Sequence, residues 1–88
     1  MKAVVLNNTC RAEDLVVSDI PLPLVKPGWV LVHVKAFGIN RSEIMVRSVE
    51  AGSPHIKLPR IIGIECAGEI IDPSDSSFVA GDRVVSLM

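Results

Sequence analysis

The chain has 88 residues, of which 49% are hydrophobic and 22% charged, and its formal net charge is −1. This composition excludes a disordered tail, because disorder requires low hydrophobicity or a high net charge, and it gives no basic footprint for nucleic acid. No apolar run approaches the roughly 18 residues of a membrane-spanning helix, and the first residues do not resemble a signal peptide. We therefore expect one domain without nucleic-acid or membrane partners.

Three short strands are predicted in the first part of the chain. Residues 2–6 and 15–20 are rich in the β-branched and apolar side chains that favour strands. Pro21 and Pro23 end the second run, because proline cannot donate a hydrogen bond to a strand ladder. The Pro-Gly pair at positions 27 and 28 predicts a type II turn. Residues 30–37 then alternate between apolar and more polar side chains, and this period of two predicts a half-buried strand.

The pattern changes after Gly38, where a short helix is predicted. Asn40 followed three residues later by Glu43 matches a capping box, in which the groups of the first turn satisfy one another's hydrogen bonds. We expect a helix over residues 41–48. A loop is expected over residues 50–59, which contain glycine and proline and few apolar side chains.

Further strands are predicted in the second half. Residues 61–71 are apolar but are interrupted by Gly63 and Gly68, which predicts two strand segments or one bent strand, with bulges or close backbone approach at the glycines. Turns are expected near residues 72–77 and 79–82, and a last strand over residues 83–87. Five or six strands with one short helix predict a mainly β fold, as a small barrel or sandwich.

An ordered set of motifs resembles the medium-chain dehydrogenase/reductase superfamily. The motifs run from Gly38 to Glu43, from Gly63 to Gly68 and from Ala80 to Val84. With Pro59, the opening residues 1–4 and the Pro-Gly turn at 27–28, which fit the same pattern, the resemblance extends over nearly the whole chain. The match is to the N-terminal, GroES-like domain of these enzymes. The resemblance implies that residues 1–88 form one GroES-like domain, a small β-barrel with one short helix. The Rossmann domain that binds NADPH or NADH in this family would be absent from the chain.

Two positions separate the chain from the zinc-dependent alcohol dehydrogenases of that superfamily. Those enzymes place a Cys at the position of Asn40 and a His at the position of Ile64, and both side chains bind the catalytic zinc. Isoleucine cannot bind a metal, and an asparagine amide is a poor zinc ligand. The resemblance therefore implies the zinc-free branch, with quinone oxidoreductases and enoyl reductases, and no metal site. Without a Lewis acid, hydride addition to a quinone or an α,β-unsaturated carbonyl is the easier reaction.

Three residues at the predicted helix start are candidate site residues. Asn40 and Ser42 are expected to be catalytic, as hydrogen-bond donors to a substrate oxygen that gains negative charge. Asn40 and Arg41 are expected to contact the nicotinamide cofactor, with Arg41 at a phosphate. Each residue also has a plainer interpretation. Asn40 could serve only as the helix N-cap, Arg41 as a solvated surface charge, and Ser42 as an exposed residue of the first turn.

The other reactive side chains are assigned structural roles. Glu65 lies inside an apolar strand, and we expect its carboxylate to bond backbone N–H groups, Arg60 or Arg83, because a buried charge is costly when unpaired. Cys10 and Cys66 are too sparse for a disulfide scaffold, which indicates a reducing, cytoplasmic compartment.

The sequence leaves three functions open. The first is the substrate domain of a zinc-independent NAD(P)H-dependent reductase of small molecules, inactive without its missing Rossmann domain and, on its own, a monomer or weak dimer. The second is a GroES-like binding or assembly module without enzymatic activity, which would share the fold alone. The third is a relative of zinc-type alcohol dehydrogenases that has lost its metal ligands.

Overall fold

The computed structural model describes residues 1–87, which contain mostly strand and one α-helix. The mainly β fold with one short helix is therefore confirmed. No helix in this range is long and apolar enough to cross a membrane. The strands are β1 (Lys2–Leu6), β2 (Val17–Asp19), β3 (Leu31–Ala36), β4 (Arg60–Ile61), β5 (Glu65–Asp72) and β6 (Arg83–Leu87), and the helix is α1 (Arg41–Ser48).

The strands pair as two three-stranded sheets. One sheet has the order β2-β1-β4 and the other β3-β5-β6, and every pairing is antiparallel. The hydrogen-bonded ladder does not close into a barrel within residues 1–87. The apolar run after residue 60 is divided between the sheets, because Gly63 lies between β4 and β5 with a φ of +134° that favours glycine. Of the two alternatives drawn from the sequence, two strand segments is the correct one.

The chain forms two compact units, each assembled from two stretches of sequence. The first comprises residues 1–21 and 39–63 and holds β1, β2, β4 and α1. Leu6 and Ala51 are its buried apolar residues. Ala51 lies in a single turn of 3-10 helix, Glu50–Gly52, where a plain loop was expected. The second unit comprises residues 22–38 and 64–87, holds β3, β5 and β6, and buries Ile70.

The alternating pattern of β3 buries less surface than predicted. Leu31 and Val32 are half-buried, but the strand is exposed from His33 onwards. An irregularity in the register between Val34 and Ala36 leaves Lys35 without a partner in β5, and such a bulge bends the strand and redirects its side chains. The prediction of a half-buried strand is therefore correct only for the beginning of β3.

Two glycines behave as their positions indicated. Gly28 has a φ of +83°, and the Trp29 N–H donates to the Lys26 carbonyl oxygen over 3.0 Å, which is the predicted type II turn. At Gly68, a Cβ would strike the carbonyl oxygen of His33 on the neighbouring strand β3. The predicted close backbone approach at Gly68 is thus confirmed.

Candidate functional site

The candidate site lies at the beginning of α1. Asn40 precedes the helix in an extended conformation (φ −116°, ψ 150°), and Arg41 and Ser42 are its first two residues. The Asn40 N–H donates to Oε2 of Glu43 over 3.1 Å, and the Glu43 N–H donates to the Asn40 carbonyl oxygen over 3.1 Å. The helix begins here because these bonds satisfy donors that the first turn leaves free. The Glu43 half of the predicted capping box forms, whereas the Asn40 side chain makes no capping bond.

The side-chain amide of Asn40 has an unusual environment. Its Nδ2 atom is buried and has no hydrogen-bond partner, although the residue as a whole is half-buried. Across residues 1–87 no other buried side-chain nitrogen or oxygen lacks a partner. A buried polar group without a partner costs about 1–3 kcal/mol. Nδ2 therefore has a donor capacity that no residue of the described chain uses, and an oxygen acceptor has to enter this buried position to use it.

Arg41 and Ser42 are both exposed, in agreement with the plainer interpretation of each. Neither side chain is hydrogen-bonded or ion-paired to another residue of the described chain. The first turn of a helix favours anions through its free N–H groups and its dipole, and the Arg41 guanidinium adds a positive charge. Arg41 is therefore chemically suited to bind a phosphate, and the Ser42 hydroxyl is suited to transfer a proton.

Glu65 belongs to the second unit and opens β5 opposite Leu87 of β6. The side chain is half-buried, and its carboxylate lies against Gly38, where a Cβ would strike it. Within residues 1–87 the carboxylate forms no hydrogen bond or salt bridge. The expected bonds to backbone N–H groups, Arg60 or Arg83 are therefore wrong. A carboxylate that keeps contact with water does not require a countercharge.

A shallow groove of about 360 Å³ runs beside Glu65 in the second unit. Phe37 and Leu87 supply apolar walls, and Cys66 lines the groove as a half-buried free thiol. Glu65 is the one charged residue of this lining, and most of the others are apolar, so the groove suits the apolar part of a small molecule.

Metal-ligating side chains do not come together in the described residues. No three of the His, Cys, Asp and Glu side chains within 1–87 lie close enough to hold a metal ion. Asn40 in the first unit and Ile64 in the second occupy the two positions compared above with zinc ligands.

Sequence reasoning selected Asn40 for its amide but overlooked Gly38. The capping-box pattern was the signal for the contact between Asn40 and Glu43, because those residues are three apart in the chain. No signal of that kind links Gly38 to Glu65, since the two meet only through the folding of β3 and β5.

Comparison with known proteins places this arrangement among dehydrogenase domains. Residues 26–88 match the alcohol dehydrogenase GroES-like domain family. The chain is 36% identical to the mitochondrial NAD(P)H oxidoreductase RTN4IP1 of Dictyostelium discoideum, over 98% of this chain and 26% of that protein.

Solved structures give the same result. The structure resembles a crystal structure of an NAD-dependent alcohol dehydrogenase, with a TM-score of 0.84 and 34% identity over 97% of this chain and 25% of that one. A mycobacterial quinone oxidoreductase gives a TM-score of 0.82 and 28% identity over 97% of this chain and 27% of that one. The chain thus spans about a quarter of the length of the proteins it matches.

Proposed function

This chain belongs to the alcohol dehydrogenase GroES-like domain family, the N-terminal domain of medium-chain dehydrogenases/reductases, and we propose that it is the substrate-side domain of a zinc-independent NAD(P)H-dependent oxidoreductase. The proposed substrates are quinones or α,β-unsaturated carbonyls. The observation that carries the proposal is the buried, unpartnered Nδ2 of Asn40. A neutral donor stands at this position, where zinc enzymes of the superfamily carry a metal ligand.

The proposed role of Asn40 follows from the charge that develops during reduction. Addition of hydride to the electrophilic carbon of a quinone or enone moves an electron pair onto the carbonyl oxygen. Nδ2 of Asn40 donates a hydrogen bond to that oxygen, and a donor fixed in advance stabilises the developing charge most effectively. Ser42, exposed in the first turn of α1, passes a proton from water to the same oxygen. When bound, the nicotinamide supplies the hydride.

The cofactor is proposed to contact this domain only at the beginning of α1. Arg41 and the beginning of α1 bind a phosphate of NADPH or NADH, because a guanidinium and free helix N–H groups both favour an anion. The remainder of the dinucleotide is held by a nucleotide-binding domain outside these residues, and the chain alone is inactive. The small share of each related protein that the chain covers supports this division.

We also propose a cytoplasmic location and a monomer or weak dimer as the state of the isolated chain. Cys10 and Cys66 are both free thiols, which fits a reducing compartment. The small-molecule substrate and the nucleotide-binding domain are the proposed partners.

Binding is tested by nuclear magnetic resonance on the ¹⁵N-labelled 88-residue chain. The probe is a fully substituted quinone, which does not add to thiols. We expect the side-chain amide signals of Asn40 to shift saturably, because the quinone oxygen accepts from Nδ2, while those of exposed Asn7 in the same spectrum stay in place. In Asn40→Ala, which has no side-chain amide, the saturable shifts of the neighbouring backbone amides should disappear. Equal shifts at Asn7, or no shift at Asn40, contradict the proposed role of the amide.

Catalysis is tested in the longer protein that carries the nucleotide-binding domain. NADPH oxidation with a quinone should persist after exhaustive chelation, and Asn40→Ala should lower kcat about 100-fold, as for loss of one donor to a developing oxyanion. Stoichiometric zinc, or activity lost with the chelator, would instead identify a zinc enzyme. Micromolar binding of NADPH to the 88-residue chain alone would contradict the division between domains.

A further inference from the structure

Asn40 precedes α1 without capping it through its side chain. An asparagine at this position ordinarily accepts a hydrogen bond from the first turn of the helix with its side-chain oxygen. The Asn40 side chain forms no such bond, and the backbone of Asn40 is instead bonded twice to Glu43. The amide is therefore not occupied by the helix, and its Nδ2 remains without a partner within residues 1–87.

The Glu43 side chain is confined between two stretches of backbone. Its Oε2 atom accepts from the Asn40 N–H over 3.1 Å. Its Oε1 atom faces Gly63, where a Cβ would lie 4.0 Å from it. The side chain is half-buried, and within residues 1–87 no Lys, Arg or His is ion-paired with it. No countercharge in the described chain therefore draws the carboxylate away from Asn40.

The bond to Glu43 also restricts the Asn40 side chain. Asn40 lies outside the helix in extended backbone (φ −116°, ψ 150°), and its N–H has no other acceptor in the described chain. The N–H and the side chain belong to the same residue, so a carboxylate that fixes the N–H limits the directions in which the amide can extend. Glu43 is thus the group that decides where Nδ2 lies.

We propose that Glu43 is the positioning residue of Asn40, and that its carboxylate keeps Nδ2 aligned with the substrate oxygen during hydride addition. The inference rests on the proposed oxidoreductase function. Glu43 touches neither substrate nor cofactor and transfers no proton, because it acts through the Asn40 backbone. Displacement of a group by about 1 Å at a reacting centre lowers the rate by up to about 100-fold, so the position of Nδ2 matters as well as its presence.

Steady-state kinetics in the longer protein that carries the nucleotide-binding domain test this role, with NADPH and a quinone. Glu43→Ala should lower kcat about tenfold and change KM less than about twofold, because the substrate oxygen gains charge only in the transition state. Glu43→Gln keeps an acceptor oxygen at the same reach and should restore most of kcat. Glu43→Asp keeps the charge but is one methylene shorter, so it should behave like Glu43→Ala.

A double-mutant cycle separates positioning from stability. In an Asn40→Ala background there is no amide to align, so Glu43→Ala should cause no further loss of kcat. A loss of folded protein would lower kcat by the same factor in both backgrounds. Arg47→Ala is the matched control, because it removes a hydrogen bond to the Cys10 carbonyl oxygen at the other end of α1 and should leave kcat unchanged. Far-UV circular dichroism verifies that each variant is folded at the assay temperature.

The outcomes also separate this inference from the proposed function. If Asn40→Ala lowers kcat about 100-fold while Glu43→Ala lowers it additively or not at all, Glu43 is not a positioning residue and the role of Asn40 stands. Full activity in Glu43→Asp would likewise overturn the inference, because charge rather than reach would then matter. If Asn40→Ala keeps full activity, the proposed function fails, and the positioning role fails with it.

Discussion

Glu43 holds Asn40 by two hydrogen bonds of 3.1 Å, one accepted by its carboxylate and one donated by its N–H. Both bonds go to the backbone of Asn40, and the side-chain Nδ2 of the same residue is left buried without a partner. A donor whose backbone is already fixed loses little conformational freedom when a ligand arrives. Substitution of Glu43 should therefore alter the environment of the Asn40 side-chain amide, although Glu43 does not contact the ligand.

Glu43→Ala should lower the free energy of unfolding by about 1 kcal/mol, as expected for loss of half a capping box. Glu43→Gln keeps an acceptor oxygen and should lose less. Urea unfolding measures the difference, and Glu50→Ala, in an exposed residue without a side-chain partner, is the matched control. Equal effects at Glu43 and Glu50 would show that the cap does not stabilise α1. The Asn40 side-chain amide signals should move in Glu43→Ala only.

Gly68→Ala should destabilise the chain more than Gly28→Ala. A Cβ at Gly68 would strike the His33 carbonyl oxygen and lie 2.8 Å from Cγ1 of Val32, so β3 and β5 must separate, at about 1–3 kcal/mol. At Gly28 a Cβ meets nothing within 4 Å, and the φ of +83° alone costs about 1 kcal/mol. Thermal unfolding of both variants measures this order, and the reverse order would contradict the close approach of the two strands.

Arg47→Ala should loosen the segment around Cys10, which precedes a turn of 3-10 helix at Ala12–Asp14. The Arg47 guanidinium donates to the Cys10 carbonyl oxygen over 2.6 Å, and the Cys10 N–H donates to the Arg47 carbonyl oxygen over 3.1 Å. Removing the side chain leaves the second bond in place and should cost about 1–2 kcal/mol. Hydrogen exchange at the Cys10 amide should accelerate. Arg41→Ala, on the exposed first turn of the same helix, serves as control and should leave that rate unchanged.

Asp75→Ala should release the turn that precedes β3. Oδ1 of Asp75 accepts from the Gly28 N–H over 2.8 Å, across 47 positions of sequence. Loss of this bond should lower the free energy of unfolding by about 1 kcal/mol, and Asp75→Asn, which keeps an acceptor oxygen, should recover most of it. Ser77→Ala is the neighbouring control, at an exposed position. If Asp75→Ala and Ser77→Ala unfold at the same urea concentration, the bond contributes no stability.

Elements defined by neighbouring residues were predicted accurately. The helix over residues 41–48 and the strands over 2–6 and 83–87 have the bounds expected from their own side chains. β2 is shorter than expected, because only Val17–Asp19 find partners in β1. The apolar run over residues 61–71 was ambiguous, since its glycines permitted either one bent strand or two segments in different sheets.

The amino-acid sequence by itself determined where α1 begins, which turns glycine makes possible, and that an amide and an isoleucine stand at the two positions compared with zinc ligands. These properties depend on the residue itself or on neighbours a few positions away. Only the tertiary structure decided that Nδ2 of Asn40 is buried without a partner, that Glu65 lies against Gly38, and that β2 and β6 are outer strands. Burial and pairing depend on segments that are distant along the chain, so no local pattern specifies them.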